Sequence, residues 1–302
     1  MKKLPVLLIL SILLLSCNRE EENRKITVIT TTSFVTDTVS RIAGDRVELI
    51  NLIEYGQDPH SYEPSPRDIA RVENADIIFV NGFDLEEGLL NIFESVNGSK
   101  IVELSSTVDF IESPEEEDHH GIDPHTWMSP LNVIKWSETA AESLIKINGV
   151  NKEYYEANKS DYIRELIDLH EKIQNKLSVI DVEQRVMITD HDSLAYFARE
   201  YNFKIPGTII PGTSSNSDTS ARALIDLIKL IERTGVQTIF IGETAGPDMA
   251  KLTENIRSEL NSPVKIVKLK SGSLDKPGTG ADTYLDYMDY NTDLILNGLT
   301  GD

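Results

Sequence analysis

A long uninterrupted helical stretch in the middle of the chain constrains the fold more than any other feature of the sequence. From Lys152 to Ile180 there is no glycine and no proline, so nothing in the sequence stops a helix once it has begun. At 1.5 Å per residue such a helix spans about 40 Å, enough to run the full height of a protein of this size. Its apolar side chains recur at helical spacing and form one stripe: Tyr162, Leu166, Leu169, Ile173 and Leu177.

Strand and helix patterns alternate on both sides of this stretch, which is typical of parallel sheets with helices on both faces. We therefore predict an α/β protein of two lobes, each with a mostly parallel sheet and flanking helices, joined by one long rigid helix. The predicted strands before the long helix are Ile26–Thr30, Val47–Ile53, Asp76–Val80 and Lys100–Leu104, and those after it are Arg185–Thr189, Phe203–Ile209, Thr238–Ile241 and Val264–Leu269.

These patterns divide the chain into segments. We expect an N-terminal α/β lobe over residues 26–130, linking helices over 131–180 and a C-terminal α/β lobe over 181–302. The length that remains after the N-terminal segment is enough for two domains on the usual prior.

The N-terminus is typical of an exported protein. Two lysines precede an apolar run from Leu4 to Leu15, which is too short to span a bilayer and indicates a secretory signal over residues 1–17. The ending Leu14-Leu15-Ser16-Cys17 resembles a bacterial lipobox, in which the cysteine receives a lipid. Cys17 is the only cysteine in the chain, so no internal disulfide can form. We expect Cys17 to carry a lipid anchor, with an ordinary signal and a chance cysteine as the alternative, and residues 18–25 to form a polar tether.

Three of the six histidines stand beside aspartates in short acidic stretches. The stretches are Asp58-Pro59-His60, Asp123-Pro124-His125 and Asp190-His191-Asp192, and Asp282 lies in a fourth polar stretch near the C-terminus. Imidazole nitrogens and a carboxylate oxygen suit zinc or manganese, and the lack of thiolates argues against copper(I) and iron–sulfur clusters. The net charge of −21 disfavours binding to nucleic acid. The stretches follow predicted strands, and ligands gather beyond the carboxyl ends of strands in open α/β sheets.

Four ordered segments resemble the signatures of one family, the metal-binding solute-binding lipoproteins of ABC importers, called cluster A-I or cluster 9. The resemblance covers essentially the whole chain. The segments are Asp58-Pro59-His60-Ser61-Tyr62-Glu63-Pro64-Ser65-Pro66, Asp123-Pro124-His125-Thr126-Trp127-Met128-Ser129-Pro130, Asp190-His191-Asp192-Ser193-Leu194-Ala195-Tyr196-Phe197 and Gly280-Ala281-Asp282-Thr283-Tyr284-Leu285.

This resemblance implies a metal site made of His60 and His125 from the first lobe and His191 and Asp282 from the second. It implies a lipid-anchored monomer that faces the periplasm or the cell exterior and hands a divalent metal to the permease and ATPase of an ABC importer. Many manganese members place glutamate where this chain has His191, so the chain is more similar to the three-histidine members, which include zinc receptors and mixed zinc/manganese receptors. Nitrogen-rich sites bind zinc more tightly than manganese, so we favour zinc. The segment Glu115–His120 holds only two histidines, where zinc-dedicated members often have a long histidine-rich loop, so manganese stays the alternative.

Other residues have supporting roles in this interpretation. Asp58, Asp123 and Asp190 or Asp192 are candidates to hold the imidazole N–H groups, and Glu63 is a candidate to orient His60, with a purely structural hydrogen bond as the alternative. His119 and His120 are expected in a solvated loop, with a metal-scavenging role as the alternative, and His170 is expected on a helix surface. Glu243 is either an extra cleft carboxylate or a helix cap.

Two other functions compete with the receptor. A zinc hydrolase on a similar scaffold needs an open coordination position and a general base such as Glu63. The sequence contains no HExxH motif and no evident nucleophile elbow, so we predict that the protein is not an enzyme. A surface adhesin would rest only on lipid anchoring and exposure.

Overall fold

The structure, a computed structural model, describes residues 24–96, 98–112, 121–215, 219–244 and 247–301. The signal segment with Cys17, most of the tether and the segment Glu115–His120 lie outside the described residues. Within the described ranges, no helix combines the length and the apolar character that crossing a bilayer requires.

The first lobe contains a four-stranded parallel sheet in the order β2-β1-β3-β4. Successive side chains of a strand point to opposite faces, and the central strands β1 and β3 are largely buried on both. Val28 and Phe79 face the largest hydrophobic core, and Ile29 and Ile78 face a separate smaller one. The elements are β1 (Ile26–Thr30), α1 (Ser33–Ala43), β2 (Val47–Asn51), α2 (Pro66–Asn74), β3 (Ile77–Val80), α3 (Leu90–Ser95) and β4 (Ile101–Glu103).

Two helices connect the lobes, α4 (Pro130–Ile147) and α5 (Lys152–Leu177). The predicted stripe on α5 is confirmed, because all five of its side chains are buried. They belong to one continuous hydrophobic core that also takes in Phe34 of α1 and Tyr287 of the second lobe. The 26 residues of α5 span about 39 Å. The long helix is therefore packed into the core that both lobes share.

The second lobe contains a three-stranded parallel sheet in the order β5-β6-β7. Ile239 and Ile241 of β6 face a core with helices α7 and α8, while Phe240 between them faces the large core shared with the first lobe. The elements are β5 (Ile188–Thr189), α6 (Ala195–Tyr201), α7 (Ala221–Thr234), β6 (Thr238–Gly242), α8 (Pro247–Glu259), β7 (Lys265–Leu269) and α9 (Tyr284–Thr300).

The predicted strand Phe203–Ile209 is wrong. That segment makes only isolated bridges, in which Lys204 pairs with Val186 and Thr208 pairs with Thr189. Pro206 lies between the two bridges, and a proline has no N–H to donate into a strand ladder. The strand predicted at Arg185–Thr189 shrinks to Ile188–Thr189 beside it. The short helices α3 and α6 were not predicted, because six or seven residues carry too little periodicity.

Candidate metal centre

His60 lies in a single helical turn, Pro59–Ser61, in the loop after β2. Asp58 caps this turn, since its Oδ1 accepts a hydrogen bond from the backbone N–H of His60 at 3.0 Å. Pro59 suits the first position of the turn, where its missing N–H costs no hydrogen bond. This local chemistry explains why Asp-Pro-His folds as a tight turn that holds the imidazole in a buried position.

His125 immediately precedes the short turn Thr126–Met128, which leads into α4. Oδ1 of Asp123 accepts hydrogen bonds from both the backbone N–H of His125, at 2.9 Å, and its ring Nδ1, at 2.8 Å. Both residues are almost fully buried. Asn81 Nδ2 donates to the carbonyl of Pro124 at 2.9 Å and ties this segment to the end of β3. With Nδ1 bound to the carboxylate, Nε2 is the ring nitrogen left to meet an ion.

His191 follows β5, and Asp190 precedes it. Oδ1 of Asp190 accepts from the backbone N–H of His191 at 2.9 Å and from its Nδ1 at 3.0 Å. The other oxygen, Oδ2, accepts from the backbone N–H of Gly242 at 2.7 Å. Gly242 allows this approach because a Cβ there would lie 3.2 Å from that oxygen and 2.0 Å from the hydroxyl of Ser271.

The three histidines converge at the boundary between the lobes. One nitrogen of each ring lies within 4.8 Å of the others, and all three residues are buried. The Nε2 atoms of His60 and His125 are 3.2 Å apart. The cavity beside them measures about 20 Å³, close to the volume that one water-sized species needs. Trp127 packs edge-on against His125 with 5.2 Å between the ring centroids, which covers this side of the cavity with apolar surface.

The two hydrogen-bonded His–Asp pairs differ in charge. Burial lowers the pKa of His125, and the other two imidazoles lower it further, so this ring is neutral and ready to bind an ion. Burial raises the pKa of Asp123 to about 7. Burial also lowers the pKa of His191, but the charge of Asp190 and its hydrogen bond outweigh this, and the net pKa of His191 is raised. The pKa of Asp190 is correspondingly lowered, against the effect of its own burial.

The predicted supporting residues divide into those that contact a ring and those that do not. Asp123 and Asp190 hold the Nδ1 atoms of His125 and His191, whereas Asp58 binds the backbone of His60. Glu63 is exposed. Oε1 of Glu87 lies 3.7 Å from Nδ1 of His60. Sequence reasoning missed Glu87, although its place after β3 could have pointed to it, since ligands gather beyond strand ends.

The structure does not bring Asp282 into the group of three histidines. Asp282 is partly exposed before α9, and its Oδ2 accepts a hydrogen bond from the backbone N–H of Gly278 at 2.6 Å. Glu243 is exposed and forms an ion pair with Lys270 at 2.7 Å. The backbone N–H of Asp192 binds the carbonyl of Gly212, and His170 lies 3.3 Å from the hydroxyl of Tyr201 on α6. His119 and His120 lie outside the described residues.

Three buried imidazoles within this distance of one another can hold a single divalent ion. Nitrogen ligands suit zinc at about 2.0–2.1 Å, and carboxylates that accept the second ring N–H orient such ligands and raise their basicity. Because the three residues lie 65 or more positions apart along the chain, their convergence is a property of the tertiary fold.

Comparison with known proteins finds relatives that match nearly the whole chain. The family model described as "zinc-uptake complex component A periplasmic" (ZnuA) matches residues 28–298. The manganese-binding lipoprotein MntA of Halalkalibacterium halodurans is 28% identical over 301 residues, covering 98% of this chain and 97% of that protein. The manganese ABC transporter substrate-binding lipoprotein PsaA of Streptococcus pneumoniae is 29% identical over 313 residues, covering 99% of each chain.

Two solved structures resemble the whole described fold. The periplasmic zinc-binding protein TroA from Treponema pallidum superposes with a TM-score of 0.83 at 29% identity, covering 91% of this chain and 99% of that chain. The manganese-bound periplasmic metal-binding protein from Candidatus Liberibacter asiaticus gives a TM-score of 0.78 at 26% identity, covering 91% and 100%.

Proposed function

The chain belongs to the family of periplasmic zinc-uptake complex component A proteins, and we propose that it captures a divalent metal ion outside the cytoplasm. It would deliver this ion to an ABC importer. Similar proteins are named as substrate-binding lipoproteins of metal ABC transporters. These are solute-binding proteins and not enzymes, so neither the zinc hydrolase nor the adhesin is favoured. The permease and the ATPase of the importer are the partners that this function implies.

The convergence of three buried histidines is the observation that supports the proposal most. His60, His125 and His191 are the proposed ligands, and Asp123 and Asp190 orient the last two through Nδ1. Their Nδ1 bonds leave Nε2 of His125 and His191 as the coordinating atoms. Asp282 is not included, because its carboxylate lies at the surface and is bonded to its own loop.

Zinc is the proposed cargo, with manganese as the alternative. A nitrogen-rich site binds zinc more tightly than manganese under the Irving–Williams order. Supply and geometry can reverse that preference in a cell, and the similar proteins include some named for manganese and one named for zinc. A paired titration with both metals decides between them.

Lipid attachment at Cys17 would keep the protein at a membrane surface. The similar proteins named as lipoproteins support this assignment, as does the position of the only cysteine after an apolar run. The monomeric state is proposed on the resemblance alone.

Metal release is proposed to depend on local movement around the histidines. Helix α5 packs in a hydrophobic core that includes residues of both lobes. Moving the lobes apart would expose part of that core to water, at a free-energy cost of about 25 cal/mol for each Å² of apolar surface exposed. A swing of one ligand loop exposes far less apolar surface. The loops that carry the histidines are therefore the elements expected to move.

The proposed function is tested by titrating the metal-stripped full chain, purified in detergent, with zinc and with manganese. We expect one ion per chain, and an ion at a thousand times its dissociation constant should stabilise the fold by about 4 kcal/mol. His191→Ala should abolish tight binding. His170→Gln, which changes a histidine outside the cluster, should bind as the wild type does. If neither metal binds, or if both variants bind normally, the assignment is wrong.

A further inference from the structure

Two consecutive serines of the second lobe reach across the gap beside the three histidines. The hydroxyl of Ser215 donates to Oδ2 of Asp58 at 2.7 Å, and the hydroxyl of Ser214 donates to Oε1 of Glu87 at 3.2 Å. Both acceptors belong to the first lobe, and Ser214 is buried. We call Ser214 and Ser215 the interlobe serine pair.

Both acceptors also contact His60. Oδ1 of Asp58 accepts from the backbone N–H of His60 at 3.0 Å, and the Glu87 oxygen bound by Ser214 is the one that lies 3.7 Å from Nδ1 of His60. The serine pair therefore binds the two carboxylates that border the His60 turn. His125 and His191 differ, because each has its Nδ1 bound by an aspartate of its own segment.

The loop that carries the serine pair is attached to the segment of His191. The backbone N–H of Ile210 donates to the carbonyl of Asp190 at 2.7 Å, and the backbone N–H of Asp192 donates to the carbonyl of Gly212 at 2.9 Å. These bonds lie on either side of His191. The serine pair is therefore connected both to the His191 segment and, through Asp58 and Glu87, to the His60 turn.

We propose that Ser214 and Ser215 are positioning residues that hold His60 against His191 and so set the rate at which the metal leaves. This inference rests on the proposed function. While both hydroxyl bonds are made, the His60 turn stays in place and the ion keeps its ligands from both lobes. When they break, water replaces the hydroxyls at the two carboxylates, and the turn can swing away with His60.

The test measures zinc release from the full chain into excess EDTA by stopped flow. The Ser214→Ala/Ser215→Ala double variant should release zinc about 10-fold faster, if the lower end of the affinity loss seen when groups that orient metal ligands are removed is expressed in the release rate. Each single substitution should give a smaller increase. Ser215→Thr keeps a hydroxyl and should release zinc at a rate close to that of the wild type.

Ser129→Ala is the matched control. Ser129 of the first lobe donates to a carboxylate of the second lobe, Oε2 of Glu200 at 3.1 Å, so it also makes a hydroxyl–carboxylate bond between the lobes. That bond does not involve a carboxylate beside His60. Its removal should leave the release rate near that of the wild type, because neither carboxylate beside His60 loses a hydroxyl partner. The melting temperatures of the metal-free variants show whether any change in rate follows from general destabilisation.

The possible results separate this inference from the function on which it rests. If wild type and double variant each bind one zinc and release it at the same rate, the serine pair has no positioning role and the receptor function stands. Equal acceleration in Ser129→Ala would also overturn the inference, because any lost contact between the lobes would then suffice. If the wild type binds no zinc, both proposals fail. If the double variant does not fold, the single variants decide.

Discussion

Replacement of Asp190 by asparagine should weaken both the fold and the metal site. The buried carboxylate accepts three hydrogen bonds, from the backbone N–H and Nδ1 of His191 and from the backbone N–H of Gly242. Asparagine has one carbonyl oxygen and one NH₂ group in place of two acceptor oxygens. If the asparagine oxygen faces His191, the NH₂ group faces the N–H of Gly242. In the reverse orientation the NH₂ group faces the two donors of His191.

In either orientation at least one buried donor loses its acceptor. An unsatisfied buried donor costs about 1–3 kcal/mol, so the metal-free variant should be less stable by that amount. Loss of the carboxylate behind His191 should weaken zinc binding about 10- to 100-fold, which corresponds to about 1.4–2.7 kcal/mol. The two effects have the same origin but separate readouts.

Urea unfolding of the metal-free protein measures the first effect, and competition for zinc with a chelator of known affinity measures the second. Asp109→Asn is the control, since it also removes one negative charge, and its carboxylate is exposed and paired only with Lys135 among the described contacts. Near-wild-type stability and zinc affinity in Asp190→Asn would refute the idea that the three hydrogen bonds to Asp190 support the site. An equal loss in Asp109→Asn would show that net charge, and not these bonds, is responsible.

Three further predictions concern the protonation of His191, the core around α5 and the role of Asp282. The charge of Asp190 raises the pKa of His191 against the effect of burial, so the ring must lose a proton before it can bind a metal ion. Zinc affinity should therefore fall as the pH drops through that raised pKa. Calorimetry in two buffers of different ionisation enthalpy should detect the released proton. Leu166→Ala removes a fully buried side chain of α5 and should cost about 2–5 kcal/mol in urea unfolding, whereas a smaller loss would mean that the shared core relaxes around it. Asp282→Ala should leave zinc affinity within about threefold of wild type, since its carboxylate lies outside the cluster; a loss of the size seen for His191→Ala would make Asp282 a ligand after all.

Much of the fold was predictable because its signals are local. Strand β3 is a continuous apolar run, which is typical of parallel strands covered on both faces, and β1 consists of β-branched residues that favour strands. The stripe on α5 follows from helical spacing alone. The strand prediction for Phe203–Ile209 was wrong because the composition of the segment suits a strand while Pro206 interrupts the pairing. Whether such a segment pairs as a strand depends on the arrangement of its neighbours.

The support of two of the histidines was also predictable from local sequence. Asp123 lies two residues before His125 and Asp190 one residue before His191, so each carboxylate can reach a backbone N–H and Nδ1 with little help from the rest of the protein. Local spacing is enough to place such pairs. The same local pattern predicted the three histidines, each with an aspartate one or two positions away, as candidate metal ligands.

Which of these groups come into contact depends on the tertiary structure. The three imidazoles converge because both parallel sheets and the long helix pack around one continuous core. Glu87 lies close to His60. Ser214 and Ser215 donate to carboxylates of the first lobe that are 127 and 157 positions away in the sequence, respectively. Asp282, which a sequence signature placed among the ligands, lies outside the cluster. No periodicity encodes such distances, because they depend on how two separately patterned lobes pack together.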